Sequence, residues 1–127
     1  MNWYIIIAGL IASATTVGHF AVGSKEFLKP MLGASFDPIS KKVMHCVFHY
    51  VSTYLILSAV TLLLIGLNIW SGTGSAAVVK FIAANYVVFA IWQIVLAIAS
   101  DIPNGKFKLF QWIFFILIAI FAFLGSG

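Results

Sequence analysis

Residues 3–22 read WYIIIAGLIASATTVGHFAV and contain no Lys, Arg, Asp or Glu. A helix that crosses the hydrocarbon core of a bilayer needs about 20 apolar residues, so this stretch predicts a transmembrane helix. The whole chain has the same character, because 63% of its 127 residues are apolar and only 8% are charged. A soluble domain of this size cannot hide so much apolar surface. The composition therefore excludes a soluble globular domain, a disordered chain and a nucleic-acid-binding module.

Three further apolar segments predict an all-α fold, a transmembrane four-helix bundle that forms one domain over residues 1–127. Residues 71–75 and 101–105 are rich in turn-forming residues and separate the later helices. Asp37 followed by Pro38 is typical of a helix N-cap, so the second helix is expected to begin there, ahead of its membrane span. Residues 24–32 are predicted to form a short interfacial helix. The predicted spans are residues 3–22, 43–70, 76–99 and 109–124.

The lysines predict how the chain is oriented. Six of the seven lysines lie in or beside the first and third loops, and only Lys80 lies near the opposite end. Loops rich in Lys and Arg stay in the cytoplasm, so both termini are predicted to be extracytoplasmic. We expect a multi-pass protein of a bacterial inner membrane. The six lysines are Lys25, Lys29, Lys41, Lys42, Lys106 and Lys108.

Small and polar residues suggest how the helices pack. Trp92 is predicted to face the interior of the bundle, and Cys46 is predicted to be a small packing residue. Asn85 is predicted to form a hydrogen bond between helices, as polar side chains in membranes commonly do. Two rows of mostly small residues on the first helix predict close helix approach. These rows are Gly9, Ser13 and Val17, and then Ala14 and Gly18.

Three histidines form the one cluster with potential chemistry. His45 and His49 are four residues apart and share a helix face, and His19 is expected at the same membrane depth. Ionisable residues within spans mark functional sites, and imidazole is the commonest metal-binding side chain. One hypothesis is a transition-metal site made by His19, His45 and His49. A second is a haem or small polar ligand bound by His19 and His49, with Gln93 as a further contact.

Other interpretations remain open. The histidines can instead form hydrogen bonds with water and backbone carbonyls, or relay protons. No residue is predicted to be catalytic, and the single cysteine excludes an internal disulfide. The lipid bilayer is one expected partner, and the others differ with the function. An accessory subunit or assembly factor would bind another membrane protein. An oligomeric channel or carrier would bind further copies of itself.

Two motifs give a resemblance to a known group of proteins. The first is Gly18-His19-x-x-x-Gly23, and the second is Phe48-His49-x-x-Ser52. Together they resemble a group of small four-helix bacterial membrane proteins of unknown function. The chain has Ser24 where that group has Glu, and Phe48 where it has Trp. The resemblance implies that His19 and His49 act together.

Overall fold

The computed structural model describes residues 1–127, which form helices joined by short loops. Helices contain 82% of the residues and no strand is present, so the predicted all-α class is confirmed. In the first helix, residues His19–Leu28 are wound as a π-helix, a wider helix than the α-helix on either side. The helices, numbered in chain order, are α1 (Trp3–Gly33), α2 (Pro38–Gly66), α3 (Ser75–Ala99), α4 (Gly105–Lys108) and α5 (Gln111–Gly125).

Side-chain caps determine where the first two helices begin. The Asn2 side chain accepts a hydrogen bond from the backbone N–H of Ile5, and the Asp37 carboxylate accepts one from the backbone N–H of Ser40. Pro38 occupies the first position of α2, where its missing N–H costs nothing. The predicted start of the second helix is therefore confirmed.

The first helix is longer than the sequence predicted. The interfacial helix expected over residues 24–32 is not a separate element, because the chain stays helical from Trp3 to Gly33. In the π-helical segment the backbone N–H of Lys29 donates to the carbonyl of Ser24. Pro30 then lies in the first turn of the next α-helical segment, where proline is tolerated. The proline therefore does not end the helix.

Two other predicted boundaries differ from the structure. The second helix ends at Gly66 rather than near Trp70, because Asn68 adopts the left-handed backbone conformation with φ 62°. The last helix begins at Gln111, two residues later than predicted. Its 15 residues span about 22 Å, less than the hydrocarbon thickness of about 30 Å.

Three helices, α1, α2 and α3, are long and apolar enough to cross a membrane. Only 24 of the 127 residues are buried, and many large apolar side chains point outward. Leu10 on α1, Leu57 on α2 and Ile98 on α3 are 57%, 61% and 72% exposed. Soluble proteins rarely expose so many large apolar side chains together, so this surface is of the kind that membrane proteins present to lipid.

The helices pack around α1 and α5. α1 lies against both α2 and α5, and α3 lies mainly against α5. α2 and α3 meet through large side chains, since the Tyr54 ring contacts the rings of Tyr86 and Phe89. Tyr86 is fully buried and is the largest such side chain in the molecule.

The closest helix contacts occur at glycines. A Cβ atom on Gly9 would lie 2.8 Å from the Leu63 side chain, and one on Gly66 would lie 2.9 Å from the backbone nitrogen of Ile6. The prediction that Gly9 lies at a helix contact is thus confirmed. The prediction for Val17 in the same row is wrong, because its side chain is 67% exposed. The second predicted row is also wrong, because Ala14 is exposed and a Cβ atom on Gly18 would have no neighbour within 4 Å.

The prediction for Trp92 is also wrong. Its side chain is 61% exposed, because it lies on the outer face of α3, away from the contacts with α5. The position of a tryptophan in the middle of an apolar helix therefore does not decide whether it faces the interior or the outside.

Candidate functional site

His45 and His49 form a side-chain pair on α2. Their Nε2 atoms are 3.2 Å apart, and their ring centroids are 5.0 Å apart. The helix repeat of 3.6 residues places these side chains one above the other. His49 is exposed and His45 is partly exposed, so the pair is accessible from outside the protein. In the hydrogen bond between the two rings, one Nε2 donates and the other accepts.

His19 lies apart from this pair and bonds to α2. Its Nε2 atom is 2.9 Å from the Oγ atom of Ser52, which is buried. The Ser52 hydroxyl already donates to the backbone carbonyl of Phe48 at 2.9 Å. A hydroxyl has one hydrogen, so Ser52 accepts from His19, and His19 carries its proton on Nε2.

Phe48 lies against two of the three histidines. Its ring stacks on His19 with centroids 4.2 Å apart and an interplanar angle of 21°. The same ring meets His49 edge-on, with centroids 5.6 Å apart. No group of three His, Cys, Asp or Glu side chains is close enough to hold one metal ion. The structure therefore gives a two-histidine pair and a separate His19–Ser52 contact, rather than one three-nitrogen cluster.

Gln93 belongs to a different polar contact. It lies on α3, and its side-chain amide donates to the Oε1 atom of Gln111 on α5. The Oε1 atom of Gln93 is buried and has no hydrogen-bond partner. The residue therefore links α3 to α5, and its hydrogen bond goes to Gln111 rather than to a histidine.

Two other polar side chains differ from their predicted roles. Cys46 is exposed, so it is not a packing residue. It lines a shallow open groove of about 480 Å³ on the outer face of α2. Asn85 donates to the carbonyl of Phe81 in its own helix, so it does not join two helices. The groove is lined by Pro38, Ile39, Lys42, Val43, Cys46 and Tyr50.

Sequence reasoning missed two polar contacts. The Tyr86 hydroxyl and the Ser58 Oγ atom are 2.7 Å apart and buried between α3 and α2. The available signal was that Ser58 and Tyr86 are polar side chains within apolar helices, where such groups commonly form hydrogen bonds with each other. At the chain termini, the Asn2 side-chain amide donates to the carbonyl of Gly125, and its backbone N–H donates to the carbonyl of Gly66. Asn2 therefore ties the ends of three helices together.

The histidines lie toward the basic end of the molecule. Consecutive helices run antiparallel, so the last part of α1, the start of α2 and all of α4 lie at one end. We call this the lysine end, and the opposite end, where Asn2 meets Gly66 and Gly125, the terminal end. Exposed aromatic rings accompany the lysines, for example Phe36 under the Nζ atom of Lys41. The lysine end carries Lys25, Lys29, Lys41, Lys42, Lys106 and Lys108.

Comparisons with known proteins add no information about this site. No protein family model, curated protein or solved structure matches the chain. The resemblance drawn from the His19 and His49 motifs therefore stays a prediction.

Proposed function

We propose that this chain is a multi-pass protein of the inner membrane that binds a divalent transition-metal ion through His45 and His49. The observation that carries the proposal is the distance of 3.2 Å between the two Nε2 atoms. With metal–nitrogen bonds of about 2.0–2.1 Å, that distance corresponds to an N–metal–N angle of about 100°. Such an angle lies between the roughly 90° of square-planar or octahedral coordination and the roughly 109° of tetrahedral coordination. The separation of the two nitrogens therefore suits a chelate, once the ion replaces the shared proton and both lone pairs turn towards it.

Four membrane spans and a cytoplasmic lysine end complete the proposal. α5 is short, but the apolar Leu109 and Phe110 precede it directly and lengthen the apolar stretch. The six lysines at one end, against Lys80 alone toward the other, support cytoplasmic loops there and extracytoplasmic termini. His45 then lies seven residues, or about 10 Å, beyond the start of α2 at Pro38. That depth is near the headgroups, where an ion from the cytoplasm can reach it.

The donor chemistry favours particular ions. Neutral imidazole nitrogens bind Zn²⁺, Cu²⁺ and Ni²⁺ better than Mg²⁺ or Ca²⁺, which prefer oxygen. Haem is less well supported, because His19 directs Nε2 at Ser52 and stacks on Phe48 rather than standing opposite His49. A metal ion on His45 and His49 requires neither contact to break.

Metal binding to the untagged protein tests this function. Purified chain is titrated with Zn²⁺ by calorimetry in mild detergent, beside the variants His45→Gln and His49→Gln. Each variant is expected to weaken binding on the order of tenfold or more, since each removes a ligand and even changes to the outer-shell partners of ligands cost about 10–100-fold. His19→Gln is the matched control, because it removes an imidazole outside the pair, and its affinity is expected to stay close to wild type. Absence of binding to the wild type, or equal affinity in all four proteins, would overturn the proposal.

A further inference from the structure

The face of α2 that carries His49 has no partner helix. His49, Thr53, Ile56 and Val60 follow each other at intervals of four, three and four residues, which is the spacing of one helix face. All four are exposed, with Ile56 at 43% and Val60 at 49%. The opposite face of α2, which includes Leu55, Ala59 and Leu62, is the one buried in the core.

The metal site proposed for this face is incomplete within one chain. Zn²⁺ in proteins takes four ligands, of which at least three come from the protein. His45 and His49 supply two, and no third His, Cys, Asp or Glu in the chain joins them. The missing protein ligands must therefore come from another chain or be replaced by water.

We further propose, resting on the function above, that a second copy of this chain completes the site with its own His45 and His49. Copies inserted in the same direction are related by a two-fold axis along the membrane normal, because closed dimers use the same patch on both subunits. Such an axis places the two α2 helices parallel, with each His45 at the depth of the other copy's His45 and each His49 at the depth of the other copy's His49. Two i,i+4 pairs facing each other then give four nitrogens around one ion.

Charge makes this dimer dependent on the metal. Lys42 lies one turn before His45 on the same exposed side, and its ammonium repels the Lys42 of the second copy. The apolar residues Ile56 and Val60 gain little by leaving lipid, since lipid tails are as apolar as they are. The ion bound between the two pairs is therefore the main attraction.

Stoichiometry and mass in mild detergent test the inference. Wild type is titrated with Zn²⁺, and its oligomeric state is followed by light scattering on a sizing column. We expect one Zn²⁺ per two chains, a dimer at saturation, and a return to monomer when EDTA is added. One Zn²⁺ per monomer at saturation would overturn the dimer but leave the proposed function intact. No Zn²⁺ binding at all would overturn both.

Cross-linking locates the interface. In a Cys46→Ala background, Ile56→Cys places a thiol on the proposed face two turns from His49, and Ile98→Cys places one on the 72% exposed face of α3. A short bismaleimide is expected to link Ile56→Cys at least fivefold more with Zn²⁺ than with EDTA, and to leave Ile98→Cys unchanged. Adding His49→Gln is expected to abolish the increase. Equal linking at both positions, or linking that Zn²⁺ does not change, would overturn the proposed face.

Discussion

The two ends of the molecule are built in different ways. At the terminal end, Asn2 bonds to Gly66 and Gly125, and glycines bring backbones into contact. Toward the lysine end the packing opens, and Gly23 is the only buried residue among residues 19–51. The histidines, the π-helical segment and the outer groove of α2 all belong to this open region.

This difference indicates that stability and ligand binding depend on different halves of the molecule. The buried apolar cluster lies in the terminal half of the helices, including Ala8, Leu62, Tyr86 and Ala119. The open half leaves imidazoles accessible, which a tightly packed region could not do without burying unpaired polar groups. Substitutions in the terminal half should therefore change the free energy of unfolding, whereas those in the open half should change ligand binding.

The largest effect is expected from removing the buried aromatic ring. Tyr86→Ala deletes a fully buried side chain and its hydrogen bond to Ser58, and should lower the free energy of unfolding by about 3–5 kcal/mol. Tyr50→Ala, at a tyrosine that is 69% exposed, should change it by less than about 0.5 kcal/mol. Thermal unfolding in detergent compares the two variants. Equal losses would show that the two halves do not differ in packing.

A methyl group at a helix contact should have the next largest effect. Gly66→Ala places a Cβ atom 2.9 Å from the backbone nitrogen of Ile6, which cannot move independently of α1. We expect a loss of about 1–3 kcal/mol in the free energy of unfolding. Gly18→Ala, where nothing lies within 4 Å, should be neutral or slightly stabilising because alanine favours helix. A stable Gly66→Ala protein alongside a destabilised Gly18→Ala protein would reverse the comparison.

The hydrogen bonds that Asn2 makes at the terminal end, which we call the terminal clamp, should contribute less. Asn2→Ala removes the N-cap of α1 and the bond to Gly125, and should cost about 1–2 kcal/mol. Asn85→Ala is the control, because that side chain bonds only to the carbonyl of Phe81 in its own helix. Urea or heat unfolding of both proteins measures the difference. If Asn85→Ala costs as much, the clamp has no special role.

Much of the fold follows from sequence, because apolar length and turn residues determine where helices lie in lipid. The start of α2 could be predicted from Asp37 and Pro38, whose capping depends on adjacent residues only. The length of α1 could not, because its continuation past Gly23 depends on π-helical bonding that has no clear sequence signal. The exposure of Trp92 also escaped prediction, because apolar residues face lipid and interior alike.

The candidate site was predictable only within one helix. The spacing of His45 and His49 alone gives their shared face on α2. The position of His19 depends on how α1 and α2 cross, and that crossing is determined by close contacts far away, at Gly9 and Gly66. Sequence spacing therefore identified the three histidines without showing that Ser52 and Phe48 hold His19 apart from the pair.

The smallest effect is expected at the exposed cap of α2. The backbone N–H and hydroxyl of Ser40 both donate to the Asp37 carboxylate and hold the pKa of Asp37 below its ordinary value. A lowered pKa in the folded state means that the cap stabilises the helix above the ordinary pKa of about 3.9, and that this contribution is lost as the pH falls through the folded pKa. An NMR titration of the Ser40 amide should therefore give a midpoint below about 3.9.

Two variants separate the contributions to this midpoint. Ser40→Ala removes the hydroxyl donor but keeps the backbone N–H, so the midpoint should rise towards the ordinary value without reaching it. Asp37→Asn keeps an acceptor that does not titrate, so the Ser40 shift should become independent of pH in this range. Because the cap is exposed and lies at the open end, only the first turn of α2 should fray, while the core around Tyr86 keeps its unfolding temperature. A midpoint at or above the ordinary value in the wild type would show that the cap does not form in solution.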